Sequence, residues 1–290
     1  MRPEQPNESC LLVDMGNQRL KWRLPEDDHL SPDASTPLAG IVPIPGSSHD
    51  GLGESAAQDE FRRSLDRVFG GMDPPHRVLL SAVSQGDMTA EFVSWCLASW
   101  QVAAEPVETP KCQGQLVNGY DIPEQLGCDR WLAALAAYWM ICIQEGEDSV
   151  IVVDAGTAVT VDLVRGHRFV GGTILPGIAT IVRVLGRDTG KIQLESTGYF
   201  GQATGADVVD EIPVAATNSN AAVHAGAFYA VCGGVERCLD RLMAMAGGVV
   251  RVLVCGGDAI LVSQGIRHRS ELRQNLVLDG LGLVAAGEAS

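Results

Sequence analysis

Apolar residues recur along this chain in two rhythms, and the rhythms alternate. Residues 11–13 form an apolar run that stops at Asp14-Met15-Gly16-Asn17, after which Leu20, Trp22 and Leu24 alternate with Lys21 and Arg23. Period two on both sides of a tight turn predicts a β-hairpin. Pro, Gly, Ser and Asp crowd residues 25–55, which predicts a surface loop with at most a short strand near 41–44. Phe61, Leu65 and Val68 then fall at helical spacing, followed by a strand-like run over 77–83 and an amphipathic helix from about 89 to 100. Strand–helix alternation of this kind marks an α/β architecture. Trp131, Leu135, Tyr138 and Cys142 fall at helical steps, so residues 129–143 should form a buried helix with Asp129 and Arg130 in its first turn.

The grammar restarts at Val150. An apolar run over 150–153 meets a turn at Asp154-Ala155-Gly156-Thr157, and Val159, Val161 and Leu163 then alternate as the first hairpin did. Two copies of one strand–turn–strand pattern predict an internal duplication, with domains at residues 1–145 and 146–290. Further on, helices are expected near 178–185 and 221–246, the second able to bend at Gly233 and Gly234. A strand over 249–254 should end in Cys255-Gly256-Gly257-Asp258, and a short helix should start near Leu281.

Composition narrows the function. The 290 residues are 46% hydrophobic and 20% charged, enough for one large or two medium globular domains. A net charge of -15 repels phosphate backbones and anionic lipid, which argues against nucleic acid and membrane as partners. It repels ATP as well, so a nucleotide site here requires metal ions, backbone amides and a few placed cations. The eight cysteines show no CxxC and no metal-type spacing, the N-terminus has no apolar stretch, and no run approaches the ~20 apolar residues of a membrane span. A reducing cytoplasmic location is the expectation.

The turns carry the candidate chemistry. Phosphate is bound by several N–H groups pointing one way, and glycine lets the main chain come close. An aspartate beside such a glycine implies a bridging cation. The Asp14 and Asp154 turns each supply that pairing, with Lys21 the nearest cation to the first. Either alone is equally explained as an ordinary hairpin turn, because Asp, Gly and Asn are what turns use. Asp129 is a candidate proton acceptor for transfer to an alcohol, although on spacing alone a helix cap paired with Arg130 is the better reading.

Six stretches together match a known family: DMGNQRLKW (14–22), NGY followed by LGCDRW (118–131), VVDAGTAVTVD (152–162), GGTILPG (171–177), NSNAAVHAG (218–226) and CGGDA (255–259). The chain resembles type III pantothenate kinases, members of the acetate kinase, sugar kinase, Hsp70 and actin superfamily. The resemblance implies an α/β fold of two duplicated actin-like (ribonuclease H-like) domains with an ATP cleft between them. It implies ATP-dependent phosphorylation of pantothenate, with Mg²⁺ accompanying the nucleotide and a monovalent cation, K⁺ or NH₄⁺, held by Asp154. By the same resemblance Asp14, Met15, Gly16, Asn17, Gln18, Arg19, Leu20 and Lys21 form the first phosphate loop, and Thr157 contacts ATP. Tyr120, Gly127, Cys128 and Arg130 match the pantothenate pocket, with Asp129 as catalytic base. Family members are homodimers in which a partner residue completes the pocket, here Ser219 in place of the usual threonine. Gln18 stands where the family has a hydroxyl. These two departures motivate an alternative, a catalytically weakened homologue working as a regulatory binding protein; a polymerising actin-like protein is a further one.

Overall fold

A computed structural model describes residues 9–24, 39–45, 54–82, 86–189 and 212–287 of the chain. The expected loop over 25–55 lies mostly outside the described residues, as do most of the N-terminal extension and the end of the strand expected over 77–83. The chain divides into two compact units, one of residues 1–115, 122–136 and 277–290, the other of residues 116–121 and 137–276. This differs from a single break near 145: the C-terminal helix belongs to the first unit, and the crossing from first to second falls inside a helix.

In the first unit the opening apolar run forms β1 (Cys10–Met15), and β2 (Arg19–Arg23) and β3 (Ala39–Pro43) follow antiparallel. Helix α1 (Glu54–Phe69) leads to β4 (Arg77–Ala82), parallel to β1, and α2 (Asp87–Trp100) leads to β5 (Ala104–Pro106), parallel to β4. The order of this five-stranded sheet is β3-β2-β1-β4-β5; a two-residue strand outside it, β6 (Cys112–Gln113), follows in sequence. One face of the sheet buries Leu11, Val13, Leu20 and Trp22 against Phe61, Leu65 and Phe69 of α1 and Phe92, Trp95 and Trp100 of α2. Trp22 meets Phe69 edge-on at 5.2 Å and Trp95 meets Trp100 at 4.8 Å, a geometry that adds roughly 0.5–1.5 kcal/mol per pair beyond the area buried.

The second unit takes up the chain at β7 (Leu116–Asn118). The helix expected over 129–143 is present but changes pitch: α3 (Cys128–Ala137) gives way to a π-helical stretch over Tyr138–Gln144. Then come β8 (Ser149–Ala155), β9 (Ala158–Arg165), β10 (Arg168–Pro176) and α4 (Ile178–Thr189). These are followed by α5 (Ser219–Ala246), β11 (Arg251–Cys255), α6 (Ala259–Gly265) and β12 (Glu271–Leu272). Antiparallel pairing joins β8 to β9 and β9 to β10, and parallel pairing joins β8 to β11 and β11 to β12. The order β10-β9-β8-β11-β12 therefore repeats β3-β2-β1-β4-β5 strand for strand, which is the duplicated ribonuclease H-like arrangement.

Helix α5 runs unbroken through Gly233 and Gly234. A Cβ at Gly234 would stand 3.2 Å from the Leu175 side chain, so close packing on β10 outweighs the ~1 kcal/mol that a helical glycine costs. The last helix, α7 (Leu276–Ala286), starts five residues before the expected position. Its Gly280 lies against the Leu132 backbone of α3, a Cβ at Gly282 would be 3.7 Å from Leu12, and Asp279 pairs with Arg23 at 2.7 Å. It thus covers the face of the first sheet opposite the aromatic core.

The indole N–H of the fully buried Trp95 donates to Asp66 Oδ1 at 2.7 Å. Asp66→Ala strands that donor and should cost about 1–3 kcal/mol of unfolding free energy, whereas Asp66→Asn keeps an acceptor and should cost less; urea denaturation of the three proteins measures the order.

Candidate active site

Strand register assembles the first half of the site. Asp14 lies opposite Lys21 on β2 and beside Ser81 on β4. Directly opposed residues share a face of the sheet, so the Lys21 ammonium and the Asp14 carboxylate stand on one side of it. The turn closes by Gly16 N–H donating to the Arg19 carbonyl at 3.0 Å, and the Gln18 carbonyl accepts from Ile44 N–H at 2.9 Å. Asn17, Gln18 and Arg19 are exposed, while Met15 and Leu20 are buried anchors of the loop.

Helix α3 begins beside this loop. The Cys128 thiol donates to the Ala82 carbonyl at 3.4 Å and lies 3.5 Å from Ser81 Oγ, fixing the helix start to the end of β4. Burial pushes that thiol's pKa up, the Ser81 hydrogen bond opposes the shift, and the carboxylates of Asp129 and Asp14 raise it further. Asp14 lies beside Ser81 and Asp129 follows Cys128 in sequence, so the Ser81–Cys128 contact brings the candidate base to the strand that flanks the Asp14 turn. Asp129 Oδ1 accepts the Arg130 N–H at 2.8 Å, satisfying one of the first-turn donors that a helix leaves open. A Cβ on Gly127 would sit 2.6 Å from that oxygen, so any larger residue there would displace the carboxylate. The Asp129 carboxyl is held above its usual range by burial, with the Arg130 N–H and guanidinium pulling the other way. Arg130 itself is buried, at 8% exposure.

In the second unit Asp154 ends β8 opposite Thr160 on β9 and beside Cys255 on β11. Three segments meet at its turn. Gly156 N–H donates to the Ala158 carbonyl, Gly177 N–H to the Thr157 carbonyl, and Asp258 N–H to the Ala155 carbonyl, all at 2.9–3.0 Å. Gly256 has φ +96° and lies so close that a Cβ would be 2.5 Å from Asp154 Oδ1; it is a position only glycine fills. The late glycine turn is thus brought onto the Asp154 turn. Tyr120 belongs to this unit, its N–H held by Asn118 Oδ1 at 3.0 Å and its ring 6.0 Å from Phe169. Ser219 is exposed in the first turn of α5, and Asn218 before it caps the helix by accepting the Ala221 N–H at 2.8 Å.

Sequence reasoning missed Ser81, Thr160, Asp162 and Thr180. Ser81 is fully buried near the end of a strand whose centre is apolar, and Asp162 is 1% exposed opposite Gly172. The signal was present in β9, where Thr160 and Asp162 alternate with Val159, Val161 and Leu163. Polar positions of an alternating strand read as outward-facing, and only the second face's cover shows otherwise.

Paired aspartate–glycine turns on a duplicated ribonuclease H-like chain define the actin-like class of fold. The family model described as type III pantothenate kinase matches residues 10–241. Type III pantothenate kinases of Paracidovorax citrulli and Cupriavidus taiwanensis are 30% and 34% identical, covering 95% and 98% of this chain and 97% and 100% of their own. A Baf family protein of Campylobacter jejuni shares the fold, with a TM-score of 0.53 at 16% identity over 96% of this chain and 98% of that one. The chain belongs to the type III pantothenate kinase family.

A carboxyl whose pKa is higher folded than unfolded holds its proton more tightly when folded, so stability falls as pH rises through that window. Ionised Asp129 therefore costs stability at neutral pH, given its upward shift by burial. Asp129→Asn, which keeps an oxygen for the Arg130 N–H, should be at least as stable as the native protein at neutral pH and lose less stability on going from acid to neutral. Thermal denaturation across that range reads both.

Proposed function

We propose that this chain transfers the γ-phosphoryl group of ATP to the primary hydroxyl of pantothenate, giving 4'-phosphopantothenate for coenzyme A biosynthesis. The observation that carries the reading, in a chain of this family, is that Asp14 lies beside Ser81 on β4 and Ser81 Oγ lies 3.5 Å from the thiol of Cys128, the residue before Asp129. Phosphoryl transfer leaves little covalent chemistry to the protein and asks for positioning, charge compensation and a proton acceptor. Residues 14–21 hold the nucleotide phosphates through the Gly16 turn and the Lys21 ammonium, and Thr157 in the second turn contacts ATP as well. Asp129 takes the hydroxyl proton as the oxygen attacks the γ-phosphorus. Its upward-shifted pKa brings its basicity closer to neutral pH, where a general base works best. Tyr120, Gly127, Cys128 and Arg130 line the pantothenate site, and Arg130 favours the substrate carboxylate.

The second turn suits a monovalent cation. Thr160 Oγ1 is buried with no hydrogen-bond partner among the described residues, and the ladder sets Thr160 directly opposite Asp154. An orphaned hydroxyl oxygen beside a carboxylate is the donor set that a hard cation takes. K⁺ or NH₄⁺ there, with Mg²⁺ on the ATP phosphates, adds positive charge to a protein of net charge -15. Ser219 completes the pantothenate site of a partner subunit in a homodimer, a reading supported by the exposed apolar Ile174 of β10 and Val184 and Leu185 of α4. Among the described residues no helix is long and apolar enough to cross a membrane; we place the reaction in the cytoplasm.

The deciding experiment is ADP release with ATP and Mg²⁺, with and without pantothenate, in K⁺, NH₄⁺ and Na⁺ buffers. Pantothenate-dependent turnover that requires K⁺ or NH₄⁺ is expected; silence in every buffer from folded protein overturns the reading in favour of a regulatory homologue. Asp129→Asn should lower turnover roughly 10²- to 10⁴-fold, the usual worth of a general base, while ATP affinity measured by calorimetry stays unchanged.

A further inference from the structure

We propose that Thr180 is a positioning residue of the nucleotide site, and that Arg183 orients its hydroxyl and adds positive charge beside the second phosphate turn. The inference rests on the reading above that this turn serves ATP.

A turn that receives phosphate presents N–H groups, and a carbonyl oxygen aimed the same way would repel the anion. At Thr157 the carbonyl is turned aside and saturated. It accepts Gly177 N–H at 3.0 Å and Thr180 Oγ1–H at 2.7 Å, which uses both of its lone pairs. Because the peptide is planar and trans, holding that carbonyl toward α4 points the Ala158 N–H the opposite way. Both donors come from the segment opening α4, and Gly177 packs so tightly that any side chain on it would overlap the Gly156 carbonyl and stand 2.8 Å from the Thr157 oxygen.

The hydroxyl of Thr180 has one hydrogen, committed to Thr157, so its oxygen is left to accept. Arg183 Nη2 lies 3.5 Å from it. Arg183 is exposed, and no ion pair holds it among the described residues. The guanidinium thus stands one side chain away from the turn. In the first unit Lys21 supplies the cation beside Asp14; Arg183 does so for the second turn, which a surface of net charge -15 makes necessary.

The test is Mg²⁺–ATP binding by calorimetry for the full chain and for Thr180→Val, Thr180→Ser and Arg183→Gln, with pantothenate kinetics alongside. Thr180→Val should weaken ATP roughly five- to tenfold, the loss of one hydrogen bond, raising KM for ATP but leaving KM for pantothenate unchanged. Thr180→Ser, which restores the hydroxyl, should return to within about twofold, a rescue that a general packing defect would not show. Arg183→Gln should weaken ATP by a smaller factor and flatten its salt dependence. Native ATP affinity in Thr180→Val overturns the inference while leaving the kinase reading intact. Failure of the unaltered protein to bind ATP overturns both. If Thr180→Val does not fold, the exposed Arg183 decides: unchanged affinity in Arg183→Gln overturns the inference.

Discussion

The candidate site depends on strand register more than on any single contact. Asp14 faces away from the aromatic core only because Val13 and Met15 face into it, and a slip of one residue would exchange them. The register that sets Lys21 and Ser81 on either side of Asp14 is repeated in the second unit by Thr160 and Cys255 on either side of Asp154. Each carboxylate stands near the carboxyl end of a parallel strand pair, β1 with β4 and β8 with β11, where open α/β sheets hold their ligands. What differs is the residue opposite each aspartate, a cation in one unit and a hydroxyl in the other.

Holding Asp129 in place takes packing from outside its own segment. The thiol of Cys128 ties the start of α3 to β4, and α7 closes over α3 where Gly280 meets Leu132. Trp131 and Leu132, fully buried, anchor the same turn. This scaffolding keeps a carboxylate where burial disfavours its charge, the common conflict between stability and activity at a functional site. The C-terminal helix contributes to the first unit for the same reason: without it, Leu12 and the outer surface of α3 would lack a cover.

The two departures from the family pattern look different once folded. Gln18 is exposed, and the loop is fixed at that position by its main-chain carbonyl on Ile44, so the shape of the turn does not depend on the side chain. Asn218 is occupied in capping α5, which explains an asparagine there through helix chemistry and leaves the neighbouring Ser219 exposed.

The sequence by itself determined the class of fold, the duplication, both aspartate–glycine turns and most of the elements, because period-two and helical patterns and turn chemistry are local properties. The six matching stretches likewise named the candidate residues, since a family's site residues are kept in order along the chain. Tertiary structure alone decided the rest. The unit boundary inside the helix at 136, the return of α7 to the first sheet, the unbroken α5 and the polar second face of β9 all depend on what packs against an element, and a residue's own neighbours in sequence do not report that. The ties of Ser81 to Cys128 and of Thr180 to Thr157 span 47 and 23 residues. Such contacts exist only after the sheet has set its register, so no reading of the chain in one dimension contains them.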